Sequence, residues 1–252
     1  MKLSSLLTSF VVIATLPLLA PVSTQAALLA SDNATNAAYA GPNWTTSTNG
    51  GTGFGAWSFS TSGSGGRFIG STGQGTNSFG VFAGGNSGNT FRADRAFTGA
   101  LSNNQTFSVN VGHTSNITSG GEVGINLLSG SSVVFTIKFV GGGSTWTQNN
   151  GGTDFGISQN FAANTSLAFS FTLVNGATKT YNYSLGSASG TGFTGSGAGD
   201  WTNITSARFF SNGQGSNENF GLNNLIIVPE PATAGLLGMA AIGMVGIFRR
   251  RR

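Results

Sequence analysis

Between about residue 28 and residue 228 the apolar positions recur every second residue. Phe107, Val109 and Val111 alternate with Ser108 and Asn110, and Val123, Ile125 and Leu127 repeat the pattern. Val133, Phe135, Ile137 and Phe139 alternate with Val134, Thr136, Lys138 and Val140; Leu167, Phe169, Phe171 and Leu173 follow, then Tyr181, Tyr183 and Leu185. A side-chain period of two places one set on a buried face, which predicts strands. Shorter runs around Trp57, Arg67, Phe79, Phe91, Arg208 and Phe220 read the same way, with Trp57 in the core. No stretch sustains a helical stripe. Asn175-Gly176 predicts a hairpin joining 169–174 to 178–185, because both residues tolerate positive φ. About ten short strands spaced by Gly- and Asn-rich turns predict an all-β, antiparallel β-sandwich.

A β-solenoid is the competing architecture for so much Gly, Asn, Ser and Thr, but it needs a repeat of fixed period. One near-repeat exists: Gly73-Gln74-Gly75-Thr76-Asn77-Ser78-Phe79-Gly80 resembles the stretch from Gly213 to Gly221 with one residue inserted. Two copies do not make an array. They are expected as equivalent turns leading into neighbouring strands.

The alternation fails at both ends. Residues 1–26 open with Met1-Lys2, continue through a mostly apolar run from Leu6 to Ala20, and finish in small and polar residues after Pro21. That order is the signature of a secretory signal peptide, which predicts passage through the Sec export machinery and cleavage near Ala26 or Ala27. At the other end, Val228-Pro229-Glu230-Pro231 precedes an uncharged segment, residues 232–248, and then Arg249, Arg250, Arg251 and Arg252. Seventeen residues of helix span about 25 Å, close to the thickness of a thin hydrocarbon core. The four arginines set the topology: they stay on the cytoplasmic side and the domain lies outside. The expected division is therefore residues 1–26 as signal peptide, 27–227 as sandwich domain and 228–252 as tail.

Composition sharpens this division. The chain has 252 residues, 41 of them glycine, with 20 phenylalanines, 4 tryptophans and no cysteine; only 7% are charged. The aromatics supply a core that a disordered chain would lack. Absence of cysteine excludes disulfides, thiolate zinc sites and cysteine nucleophiles. The net charge of +4 comes from the two ends. Within residues 27–228, Arg67, Arg92, Arg95, Lys138, Lys179 and Arg208 balance Asp32, Asp94, Glu122, Asp154, Asp200 and Glu218. The basicity therefore belongs to targeting, and no nucleic-acid partner is expected.

The tail, with Pro229-Glu230-Pro231, a transmembrane segment and a basic end in fixed order, resembles the PEP-CTERM sorting signal of Gram-negative bacteria. That resemblance implies an exosortase-like membrane protease or transpeptidase as partner, processing near Val228 to Pro231, and a transient inner-membrane anchor before delivery to the envelope, surface or matrix. A permanent C-terminal anchor behind a proline hinge is the alternative. The domain itself resembles the jelly-roll/concanavalin-like sandwiches found in such precursors.

Candidate chemistry within the domain is sparse. Retaining glycosidases hold two carboxylates about 5 Å apart, and no two acidic residues of the domain lie within five positions of each other. Glu122 reads as an edge charge, and Asp200 and Glu218 as loop formers. His113, the one histidine, lies at a strand end and reads as a surface residue. Arg92-Ala93-Asp94-Arg95 reads as local ion pairing on a strand edge, with capture of an acidic sugar as the rival. Asp94, Asp154 and Asp200 are candidates for a structural calcium, without Asp-x-Asp spacing; no other cofactor is expected. Trp146 and Trp201, flanked by Thr, Gly, Asp and Asn, are the candidates for stacking on sugar rings, against burial in the core. Seven Asn-x-Ser/Thr triplets are near chance in such a composition. The expected function is a non-enzymatic exported protein, structural or adhesive in exopolysaccharide or biofilm. A carbohydrate-binding module and a glycan-active enzyme are the alternatives.

Overall fold

Alternation along the chain becomes fifteen strands in the computed structural model, which describes residues 28–41, 44–75, 77–85, 88–197, 199–213 and 218–229. In chain order they are β1 (Ala30–Asp32), β2 (Phe54–Ser62), β3 (Gly65–Gly70), β4 (Ser78–Ala83) and β5 (Thr90–Phe97), followed by β6 (Gln105–His113), β7 (Glu122–Ser129), β8 (Ser132–Val140), β9 (Thr145–Asn149) and β10 (Asp154–Asn160). The last five are β11 (Leu167–Asn175), β12 (Thr180–Leu185), β13 (Ala188–Thr194), β14 (Ser206–Asn212) and β15 (Phe220–Pro229). One turn of 3-10 helix, Ala37–Tyr39, is the helical element among the described residues.

The strands form two sheets. One runs β13-β12-β11-β6-β15-β4-β3, with β1 also paired to β15; the other runs β10-β9-β8-β7-β14-β5-β2. Every pairing is antiparallel. This is the sandwich that the alternation predicts, and it removes the solenoid. Phe107, Val109 and Val111 of β6 face Ile125, Leu127, Phe135 and Ile137 of the other sheet in one buried cluster. Four strands escape the sequence reading. Of these, β10 and β13 are outermost in their sheets and mostly exposed, so their side chains carry little period-two signal; β1 has three residues and β9 five.

The near-repeat leads into neighbours, as expected: β4 and β15 pair directly, with Gly80 opposite Gly221. Both glycines are steric requirements. A Cβ on Gly80 would lie 2.4 Å from the Phe68 ring, and one on Gly221 would lie 1.8 Å from the Thr72 hydroxyl. The hairpin at Asn175-Gly176 also forms, but through four residues rather than two. Asn175 accepts from the Ala177 and Thr178 amides, and Lys179, not Gly176, takes the left-handed conformation. Gly176 is needed for closeness instead, since a Cβ there would meet the Trp201 carbonyl at 2.8 Å.

The strand β15 fixes the polarity of the molecule. Phe220 lies opposite His113, and Pro229 lies opposite Gln105. Ten extended residues separate two poles by roughly 30 Å. The first described residues lie at the Pro229 pole too, because β1 pairs with the end of β15 and the Leu29 amide donates to the Ile227 carbonyl. The sheet extends through Val228 and Pro229, two residues past the expected domain end. Residues 1–27 and 230–252, and with them the signal peptide, Glu230, Pro231, the segment 232–248 and Arg249 to Arg252, lie outside the described residues.

Candidate functional site

Three places in the fold carry polar or aromatic groups with a specific arrangement. The first is a buried charge network behind the Pro229 pole, called the tether pole because residues 230–252 follow it in the chain. Arg95 of β5 points into the sandwich and is fully buried, where its Nη2 donates to Asp32 Oδ2 at 2.7 Å and to the Gly50 carbonyl at 2.8 Å. Its Nη1 donates to the Gly55 carbonyl. Tyr39 donates its hydroxyl proton to the same Asp32 oxygen at 2.6 Å and accepts from the Gly50 amide and from Trp57 Nε1. The guanidinium also sits 5.0 Å from the Trp57 ring. Burial pushes the Asp32 carboxyl above its ordinary value, although the Tyr39 hydrogen bond and the Arg95 charge pull it back. Burial lowers Arg95 and, with the bond to Asp32, pushes the Tyr39 phenol up to about 12. Buried charges cost several kcal/mol each to desolvate unless paired, and the pairing of Asp32 on β1 with Arg95 on β5 joins the two sheets.

The Arg92–Arg95 segment thus corrects the edge-strand reading. The strand β5 is interior, between β2 and β14. Only Asp94 behaves as an outward ion pair, bidentate with Arg208 directly across on β14 at 2.8 Å. The cross-strand bond to Asp94 keeps Arg208 above its ordinary value.

The second place is the outside of the sheets, which differ in character. The sheet containing β7 carries outward ion pairs: Lys138 binds Glu122 at 3.2 Å and Asp154 at 3.1 Å. Two carboxylates that are far apart in sequence therefore converge, with an ammonium between them. Asp154 is held below the usual carboxylate range, first by the Asn149 amide and then by Lys138, which suits an ion pair and not a proton donor. The outward positions of β6, β11 and β12 are instead Thr106, Ser108, Asn110, Ser170, Thr172, Asn182 and Ser184, without a charge. Thr106 pairs with Thr172, and Ser170 with Ser184, each at 2.7 Å.

The third is a cleft of about 540 Å³ at the pole opposite the tether. Phe161, half-buried in the turn after β10, forms one wall and stacks on Phe139 with centroids 4.1 Å apart. Asn116 and Ile117 come from the turn after β6, Ser144 from the glycine corner between β8 and β9, and Asn160 from the end of β10. The Phe161 amide donates to the Ser144 carbonyl and the Asn164 amide to the His113 carbonyl, tying these turns together. No lining residue is charged. The nearby Glu218 carboxylate is turned to the Thr118 amide and hydroxyl, at 2.9 and 2.7 Å.

Of the two alternatives for the tryptophan candidates, the structure has burial. Trp146 lies in β9, 3% exposed, packed 5.9 Å from Phe139 beneath this cleft. Trp201 does lie in a loop, but its ring is 1% exposed and stacks on Tyr181 at 5.3 Å, plugging the tether pole. Neither presents a face to a sugar, because covering so large an apolar ring outweighs leaving it wet. His113 is a correction too: it is 2% exposed, bonded to the Ser115 carbonyl and edge-on to Phe161 at 5.7 Å. The calcium candidates do not assemble. Asp94 is with Arg208, Asp154 with Lys138 and Asn149, and Asp200 with Thr202, and no group of three acidic or histidine residues among the described residues is placed to hold a metal. The alternation did not point to Phe161, Asn116 and Asn160 because the first two sit in turns and the third ends the exposed edge strand β10, where period carries little information.

Strand order, register and the tether pole define an antiparallel β-sandwich of the jelly-roll/concanavalin-like kind that carries an export and sorting tail. Residues 228–252 match the family model described as the PEP-CTERM protein-sorting motif. That motif marks the chain as an exported protein, sorted through the membrane and recognised by an exosortase. No curated protein matches the chain significantly. A solved structure from work on endo-acting O-glycanases, expressed by prominent members of the human gut microbiota to initiate mucin breakdown, superposes with a TM-score of 0.52 at 10% identity, covering 81% of this chain and 99% of that one. The endo-β-1,4-glucuronan lyase of the fungus Trichoderma reesei gives 0.48 at 8% identity over 68% and 90%. A Caenorhabditis elegans galectin gives 0.39 at 12% identity over 52% and 86%. At such identities the first of these shows a shared fold and nothing further. Among the described residues no helix is long and apolar enough to cross a membrane.

Proposed function

We propose that the protein is a non-enzymatic, exosortase-sorted building element of the cell surface or extracellular matrix, structural or adhesive in exopolysaccharide. One observation carries this reading: the first and last described segments of the domain lie side by side at one pole, Leu29 beside Ile227. The sandwich therefore stands on its tether and presents the opposite pole and both sheet faces outward. The sheet continues into Val228 and Pro229, so the sorting motif follows the folded domain without a linker. Cleavage near Pro229 to Pro231 by the sorting enzyme would release or re-attach a finished domain. Mass spectrometry of the mature termini, in cells with and without the exosortase, tests this. Loss of the tail in the first and its retention in the second is the expected result. An intact Arg252 on the exported form in both would leave a permanent anchor and sink the sorting reading.

A second reading, carbohydrate binding without catalysis, is favoured by the uncharged hydroxyl and amide surface of β6, β11 and β12 and by the uncharged distal pole. Such groups exchange hydrogen bonds with sugar hydroxyls at small desolvation cost compared with charges. Catalysis on glycans is the weaker alternative. It predicts hydrolysis abolished by Glu122→Gln, where the Lys138 contact predicts only a local change on the sheet surface.

A further inference from the structure

We propose that the distal cleft is a binding site for one neutral pyranose unit of a polysaccharide, with Phe161 as the stacking platform and the Asn116 and Asn160 amides as hydroxyl readers. The proposal rests on the carbohydrate-binding reading and gives it a location and a ligand class. Four observations meet there. The volume, about 540 Å³, falls within the range of small-ligand sites, roughly 300–1,000 Å³. The wall is an aromatic ring fixed in orientation by its stack on Phe139 and by the His113 edge behind it. Such a ring offers a negatively polarised face to the C–H bonds of a sugar. The side-chain amides of Asn116 and Asn160 are exposed and make no hydrogen bond among the described residues, so each keeps donors and an acceptor for hydroxyls. Finally, the absence of charge in the lining disfavours uronates and sulfated sugars, which need cationic partners. The site is also built rather than accidental. Gly141 lies in its corner, and a Cβ there would fall 1.9 Å from the Thr118 carbonyl, so the two turns can meet only through glycine.

Position adds to chemistry. The cleft opens at the pole away from Leu29 and Pro229, so a tethered domain would hold it toward the matrix. Trp146 supports the floor by packing against Phe139 and Phe161, acting through those rings and not on the ligand.

The test is calorimetric titration of the full chain, in a sugar-free detergent, with neutral gluco-, manno-, galacto- and N-acetylglucosamine oligosaccharides and with an oligouronate of matched length. At least one neutral oligomer binds, the oligouronate does not, and affinity is unchanged between low and high salt, since no charge pair is involved. Phe161→Ala weakens binding about tenfold or more, and Asn116→Ala with Asn160→Ala weakens it by a comparable factor. The double asparagine variant guards against misfolding, because both side chains are exposed, and its unfolding midpoint should match the parent. Neutral-sugar binding that is unchanged in the double asparagine variant would overturn the cleft while leaving the carbohydrate reading intact on the sheet face. Preference for the oligouronate would overturn the ligand class. Failure of every oligosaccharide to bind the parent chain would overturn both readings.

Discussion

The two halves of the core solve the same packing problem with opposite chemistry. Behind the tether pole, where β1, β2, β4 and β5 meet, the Phe54 and Trp57 rings flank a buried Arg95–Asp32 pair with the Tyr39 hydroxyl as its hub. At the other side, between β8 and β11–β13, Phe135, Phe169, Phe171, Tyr181 and Trp201 form an aromatic stack; its inward polar contact is the Tyr181 hydroxyl donating to Gln148 at 3.0 Å. Ring stacking tolerates small shifts, since apolar contact has no required direction. A buried ion pair does not, because displacing either partner exposes a charge to a low-dielectric interior. The polar half is also where the three-residue β1 must dock. With so few ladder hydrogen bonds, a directional contact that accepts one register is a physical reason for placing charge there. Asp32 Oδ1 and Arg95 Nε lack partners, so even this network is incompletely satisfied.

That contrast can be broken first at Arg95. Replacing it by Met leaves the Asp32 carboxylate unpaired, and urea unfolding followed by tryptophan fluorescence should show a loss of about 3–5 kcal/mol. Adding Asp32→Leu to Arg95→Met should recover most of that loss; a double variant as unstable as the single would show that packing, not charge, sets the cost. The alkaline limb comes next. Tyr39 and Tyr181 both hold their protons to about 12 in the folded protein, against an ordinary 10. Their raised values contribute stability that is complete below pH 10 and lost as pH rises toward 12, at about 1.4 kcal/mol per unit for each. Tyr39→Phe should flatten that decline by one tyrosine's share, measured as the unfolding midpoint at pH 9 to 11.5.

Smaller effects test the apolar half and the surface. Phe171→Leu exchanges one large apolar group for another in the stack, and should cost less than about 1.5 kcal/mol by the same unfolding assay. A loss as large as that at Arg95 would mean that ring geometry is as demanding as charge. Arg208→Gln removes the partly exposed cross-strand pair with Asp94, and thermal unfolding should register no more than about 1 kcal/mol.

The legibility of the chain follows the same physical divide. Runs such as Val133 to Phe139 and Leu167 to Leu173 announce themselves because an inner and an outer face alternate along one strand. The edge strands β10 and β13 do not, because neither face is well buried. Arg95 shows a different failure. Alternation with Phe91, Ala93 and Phe97 places Arg95 inward and Arg92, three residues earlier, outward, yet the sequence reading set that period aside for the charge. The charge label argued against burial, and the partner that makes burial tolerable, Asp32, is 63 positions away. For Trp146 and Trp201 the sequence left stacking and burial both open, since polar neighbours in sequence do not reveal what covers a ring in space; both are buried.

By itself the sequence determined the all-β class, the sandwich, the hairpin at Asn175 and the charge-bearing sorting tail. Each of these is written in local order: a period, a turn or a run of like residues. Only the tertiary structure decided which charges are buried, that the first and last described strands meet at one pole, and that Phe161, Asn116 and Asn160 share a cleft. Those outcomes depend on which turns meet when two twisted sheets close, and contacts between residues far apart in the chain leave no periodic trace in it.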